Sequence, residues 1–193
     1  MSYRSGEDNQ LVAAFVAGDR SSFDQLMRAH EDRVFAVCLR ILADREAALD
    51  AVQETFITVY RKVHQFSGAS AFSTWLYRVA VNTCYDQLRK TRRHQSQSLP
   101  ETTDPADPRS EDALQSIELR PDLERALSVL APEFRAAVVL SDLEGLPLQA
   151  VAEALDVPIG TVKSRVFRGR RLLAEHLRNL SGSSAHQRGE HDA

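Results

Sequence analysis

The 193-residue sequence contains two cysteines, Cys38 and Cys84, too few for a disulfide framework. No apolar run approaches the roughly 18 residues that read as a bilayer span, so membrane insertion is not expected. The segment from Met1 to Asp8 lacks the basic-then-apolar order of a signal peptide, and a cytoplasmic protein is expected. Period-two alternation is absent, which argues against a sheet. There is no glycine-rich phosphate loop, and the six histidines are scattered. No catalytic constellation emerges, and neither an enzyme nor a cofactor is expected. His30 and Cys38 fall short of the roughly four ligands a metal needs, and His30 lies on an apolar stripe, so no metal is expected either.

What is present has ordinary globular proportions, 43% hydrophobic and 26% charged residues. At roughly 100–200 residues per domain, the length fits one large domain or two small ones. Hydrophobic spacing is helical almost throughout. Phe23, Leu26, Met27, His30, Val34, Cys38 and Ile41 form one stripe, with Ser22 and Gln25 as a candidate capping box. Asp44 can cap a second helix with the stripe Ala48, Val52, Phe56, Val59 and Val63. A third stripe is Phe72, Trp75, Leu76, Val79, Ala80 and Thr83, with Ser70 as its candidate cap. A short helix around Asn9–Val16 precedes Gly18. Prolines, serines and acids over 96–118 read as a flexible acidic linker. Helical spacing resumes at Leu119, and Pro132 suits the first turn of a further helix. The fold class expected is all-α, two small helical domains over 1–95 and 119–180, with a disordered tail over 181–193.

The net charge of −3 conceals an alternation. Residues 1–60 carry six basic and ten acidic side chains, and 61–93 carry seven and one. Residues 94–158 carry four and thirteen, and 159–193 carry seven and three. Two basic blocks among acidic ones suggest two sites for a polyanion.

The second basic block contains the sharpest motif. In Leu148–Leu155, Val151, Ala152 and Leu155 share one side of a short helix. Asp156-Val157-Pro158 makes a break, and Val162 and Val166 then face back. This is a helix-turn-helix pattern in which small Ala152 permits a close crossing. Asp156 stands where glycine is common, and aspartate tolerates the left-handed conformation such a turn uses. The second helix would display Thr161, Lys163, Ser164, Arg165, Arg168 and Arg171, side chains that suit guanine edges and phosphates of duplex DNA. A solvated amphipathic helix is the plainer alternative, and the preceding helix and turn argue against it.

The first basic block combines Phe66, Phe72, Trp75 and Tyr77 with Arg89, Lys90, Arg92 and Arg93. Rings beside cations suit a single strand, whose bases stack and whose phosphates pair. Periodicity equally allows Phe72 and Trp75 to be core.

Taken in order, these segments resemble extracytoplasmic-function sigma factors. Asp50-Ala51-Val52-Gln53-Glu54-Thr55-Phe56 resembles the family's polymerase-binding segment. Phe66 to Thr83 is similar to its promoter-melting segment, and Gly160-Thr161-Val162-Lys163-Ser164-Arg165 to its recognition helix. The resemblance spans roughly residues 9–180, and three motifs in the right order are more specific than any one. Ala51 departs from the usual leucine, and Gln149-Ala150 from a common acidic pair.

The resemblance implies partners and roles. Asp50, Gln53 and Glu54 would face bacterial core RNA polymerase. Ser67, Ser70, Phe72, Ser73 and Trp75, with Arg78, Asn82, Asp86, Arg89 and Lys90, would take the melted minus-ten strand of promoter DNA. Thr161 to Arg171 would read the minus-thirty-five duplex. An anti-sigma factor would be a further partner. The alternative reading is a helix-turn-helix regulator that acts without polymerase. That class calls for alternating strands and helices in its first domain, and residues 1–93 read as helices only.

Overall fold

The computed structural model describes residues 3–97 and 121–186, with side chains over 6–93 and 123–178. All regular structure among the described residues is helical. The first four helices are α1 (Tyr3–Val16), α2 (Arg20–Leu42), α3 (Arg45–Lys62) and α4 (Phe72–Gln97). A single 3-10 turn, Val63–Gln65, follows α3. The second set is α5 (Pro121–Ser128), α6 (Pro132–Val138), α7 (Leu148–Leu155) and α8 (Ile159–His186), with a π-helical turn over Val139–Leu143 after α6.

Local chemistry sets the boundaries. Asp44 caps α3 as expected, accepting from the Ala47 N–H at 2.8 Å. The capping box expected at Ser22 is displaced. Asp19 caps α2 instead, accepting from Ser21 N–H at 3.0 Å, and Ser22 donates its hydroxyl back to Asp19 at 2.6 Å. A carboxylate that accepts three bonds outcompetes a hydroxyl one turn inside the helix. Ser70 does not cap α4 as expected. Its hydroxyl donates to the Ala71 carbonyl, the group that also opens the α4 ladder by accepting from Thr74 and Trp75. Pro132 occupies the first turn of α6.

The tail expected from 181 onward is corrected in part. The α8 backbone continues helically through Gly182 to His186, since a glycine and serines only lower helix propensity and no proline stops the ladder. Residues 187–193 lie outside the described residues, as does the expected linker beyond Gln97.

Helices α2, α3 and α4 pack around Leu26, Val34, Val37, Ile41, Val59, Leu76 and Val81, all buried. Each such aliphatic side chain contributes roughly 1.5–3 kcal/mol by leaving water. Cys38 and Cys84 are free, buried and in contact, so they serve as small apolar fillers. Helices α5–α8 pack on Leu127, Leu130, Leu140, Val151, Leu155 and Val162. The two sets also meet. Helix α4 lies along α7, α2 meets α5 and α6, and the buried apolar side chains of both sets form one cluster.

Candidate nucleic-acid interface

The head of α4 is prepared by the loop before it. Gly68 sits in the left-handed region at φ 72°, which lets residues 67–71 turn tightly. Ser67 accepts weakly from the Ala69 N–H at 3.4 Å. Beneath the loop, Phe66, Phe72 and Trp75 pack ring to ring at 5.6–5.8 Å between centroids. The His30 ring stands 5.5 Å from Phe72 and hydrogen-bonds buried Asp8 at 3.0 Å. Phe72 is 1% exposed, so the stacking role expected of it is corrected. Its ring is the floor of the loop and cannot meet a base. Ser67 is exposed, whereas Ser70, Ser73 and Trp75 are half-buried at the loop rim. The three serines thus border a cluster of packed aromatic rings, with Trp75 at its edge.

Along α4, Arg78, Asn82, Asp86, Arg89 and Lys90 recur at near-helical spacing and all are exposed. Their charges are partnered. Arg78 pairs with Asp156 at 3.4 Å, Arg89 with Asp86, and Lys90 with Glu54 at 3.9 Å. Glu54 lies on α3 with Asp50 and Gln53, and all three are exposed along an open groove that also includes Ile57 and Lys90. The strand-facing and polymerase-facing candidates are therefore neighbours.

The helix-turn-helix forms as expected. Asp156 takes the left-handed turn at φ 53°. The Pro158 carbonyl opens α8 by accepting from Thr161 and Val162. Buried Val162 and Val166 seat α8 on α7. Gly169 permits a still closer crossing with α6, because an added Cβ would stand 2.6 Å from Val138 Cγ2. Lys163, Ser164, Arg168 and Arg171 face outward, whereas Thr161 and Arg165 are half-buried. Ser164 donates to the Thr161 carbonyl at 2.8 Å, leaving its lone pairs outward as acceptors.

Two residues of this surface escaped the sequence reading. Phe167 is 70% exposed between Lys163 and Arg171, each four residues away. An apolar ring on a cationic helical face was the available signal, and it suits a thymine methyl in the major groove. Arg170 is held back by a two-pronged pair with Asp142 at 2.7 and 2.8 Å. Hydrogen bonds from Arg170, aided by Ser141, hold the Asp142 carboxyl below its ordinary range. This pair braces α8 against the turn before α7, and no sequence spacing foretold it.

Known proteins are similar to this chain in sequence and in fold. Residues 26–94 match the family pattern described as Sigma-70 region 2, and residues 120–173 match Sigma-70, region 4. The ECF RNA polymerase sigma factor SigE of Mycolicibacterium smegmatis is 41% identical over 187 residues, covering 94% of this chain and 72% of its own. SigW of Bacillus subtilis, also an ECF RNA polymerase sigma factor, is 32% identical over 84% of this chain and 92% of its own. Among solved structures, the sigma factor RpoE from Bartonella quintana, crystallised with the anti-sigma factor NepR, superposes with a TM-score of 0.67. It is 28% identical, and the match covers 81% of this chain and 96% of that one.

Proposed function

Because the chain belongs to the extracytoplasmic-function RNA polymerase sigma factors, we propose how its surfaces divide the work of that family. The protein is an alternative sigma factor: it directs core RNA polymerase to chosen promoters and helps open them. A regulator acting apart from polymerase is not favoured. Sigma factors contribute binding energy rather than bond chemistry.

In our reading, Asp50, Gln53 and Glu54 on α3 engage the polymerase. The mouth formed by Ser67, Ser70, Ser73 and Trp75 receives a base extruded from the minus-ten strand. Arg78, Asn82, Asp86, Arg89 and Lys90 guide the strand away along α4. Extrusion costs a few kcal/mol of unstacking, which a preformed polar mouth offsets. The exposed face of α8, with Lys163, Ser164, Phe167, Arg168 and Arg171, lies in the major groove of the minus-thirty-five element. Thr161 and Arg165 complete that surface.

The observation that carries this reading is the pairing of unlike surfaces in one chain. One is a helix with an exposed cationic face, and the other is a loop held against packed aromatic rings. An anti-sigma factor is a proposed partner, supported by the complex in which RpoE of Bartonella quintana was crystallised.

The test is in vitro transcription with sigma-free bacterial core polymerase and a supercoiled promoter library. Discrete start sites that require this protein are expected, and their alignment would give both elements. Asn82→Ala is expected to impair opening while polymerase association persists. Specific duplex binding with no transcripts from competent core enzyme would instead favour the independent regulator.

A further inference from the structure

One buried polar pair lies outside every role assigned above. Asp8 on α1 and His30 on α2 are 4% and 3% exposed, and His30 Nε2 stands 3.0 Å from the Asp8 carboxylate. An ionised carboxylate only accepts hydrogen bonds, so this pairing puts a proton on Nε2 and makes His30 the donor. Withdrawing both groups from water is unfavourable, and removing either one leaves the other buried without its partner.

Helix α1 has an apolar anchor as well, at its other end. Val12 is buried, and the Phe15 ring stands 5.2 Å from both Phe23 and Tyr60. Asp8 lies seven residues before Phe15, about two turns away. Apolar contacts are non-directional and leave a helix free to slide or roll slightly. A hydrogen bond is directional, so the Asp8–His30 bond fixes the register that the apolar anchor leaves loose.

That register reaches the loop over residues 67–71 from both sides. Helix α1 packs against the 3-10 turn Val63–Gln65, which leads into the loop, and against α4, which leads out of it. The His30 ring stands 5.5 Å from that of Phe72, the first residue of α4. Phe72 in turn meets Phe66 and Trp75 at 5.6 and 5.8 Å. A line of contacts therefore runs from Asp8 through His30 and Phe72 to Trp75 at the loop rim. Asp8, His30 and Phe72 are all buried, so they act on a DNA strand only through the residues above them.

Resting on the sigma-factor reading, we propose that Asp8 and His30 are positioning residues for promoter opening. Their hydrogen bond sets the register of α1 and the placement of Phe72. It thereby holds the loop and Trp75 in the geometry that receives an extruded base. A site that is already ordered offsets more of the cost of extrusion than one that must order itself first. The pair acts on opening alone, because the residues assigned to polymerase and to the upstream duplex lie on α3 and α8.

The test uses holoenzyme reconstituted with the full chain. His30→Leu and Asp8→Ala each remove one side of the pair. His30→Gln keeps a donor near the Nε2 position, and Asp8→Asn keeps an acceptor. Opening is read from 2-aminopurine placed in the minus-ten non-template strand, whose fluorescence rises as the base unstacks. His30→Leu and Asp8→Ala should open promoters about tenfold less well, the scale set by one buried hydrogen bond, with affinities for core polymerase and the minus-thirty-five duplex unchanged. The Gln and Asn variants should recover most of the opening. Trp75 is the single tryptophan, so the near-ultraviolet circular dichroism of the free chain should change in the two disruptive variants and return in the two conservative ones. Normal opening by His30→Leu and Asp8→Ala would overturn the positioning role. So would equal loss in the Gln and Asn variants. A parallel loss of minus-thirty-five binding would also overturn it, since the pair would then serve overall stability. If the unaltered holoenzyme opens no promoter while the Trp75 signal still follows the pair, the sigma-factor reading fails and the coupling of the pair to the loop stands.

Discussion

On α4 every cation of the proposed strand-facing surface has a carboxylate beside it: Arg78 has Asp156, Arg89 has Asp86, and Lys90 has Glu54. On α8, Lys163, Arg168 and Arg171 are exposed with no ion pair among the described residues. The supports differ as well. The head of α4 rests on Phe66, Phe72, Trp75 and His30, whereas α8 lies against alanines, valines and the bare backbone at Gly169. A duplex offers dense phosphate charge, and unpaired cations exploit it through counterion release. A melted strand offers bases, so shape matters more there and charge is moderated. On the proposed reading, one chain separates affinity for duplex from capture of a base by assigning them to differently built helices.

The largest expected effect comes from removing the aromatic floor. Phe72→Ala should lower stability in urea unfolding by about 3–5 kcal/mol, through lost burial and the cavity left behind. At a temperature where the variant stays folded, permanganate reactivity of the minus-ten region should fall, while minus-thirty-five binding by the holoenzyme persists. Equal loss of both functions would break the proposed division. The reciprocal change is Gly169→Val. Its side chain would meet Val138 Cγ2 and the Phe134 carbonyl, so overpacking should cost about 1–3 kcal/mol and tilt α8 away from α6. Upstream recognition should weaken, and opening of a premelted bubble template should not.

Much of this plan was legible in the sequence, because helical periodicity marks which faces are buried. The stripes of α2, α3 and α4, the Asp44 cap and the Asp156 turn all follow from spacing and side-chain chemistry. Phe72 shows where periodicity and composition conflict. Its place on the apolar stripe marked it as core, its basic neighbourhood suggested stacking, and packing decided for the core. The contact between the helical sets was not legible. Glu144 meets Arg40 across 104 positions of sequence, and Arg135 meets Ile41 across 94. No local pattern encodes such distances. Read alone, Arg40, Arg135 and Glu144 are only ordinary charged residues in a helix or turn, and Ile41 takes part only through its backbone carbonyl.

Finer effects sharpen the comparison at single side chains. Arg165→Ala should cost about 1–3 kcal/mol at the minus-thirty-five element if it meets a base edge, and the loss should concentrate on one base pair. Arg168→Ala, further out on α8, should weaken binding evenly and reduce the salt slope by about one if it grips phosphate. Footprint titrations on single-substituted promoters distinguish the two patterns.

The smallest effect tests whether the carboxylates of α4 moderate its charge. Asp86 and Arg89 form an exposed pair three residues apart on the helix, a geometry that adds only about 0.2–0.5 kcal/mol. Asp86→Asn should therefore leave thermal unfolding nearly unchanged. It should free Arg89 for phosphate, so that holoenzyme binding to a minus-ten single strand tightens at low salt and its salt slope steepens by about one-half to one. Base discrimination along that strand should relax as non-specific attraction grows. A variant that bound the strand with an unchanged slope would mean that Arg89 already reaches phosphate despite its neighbour. The contrast between the two helices would then rest on their supports alone.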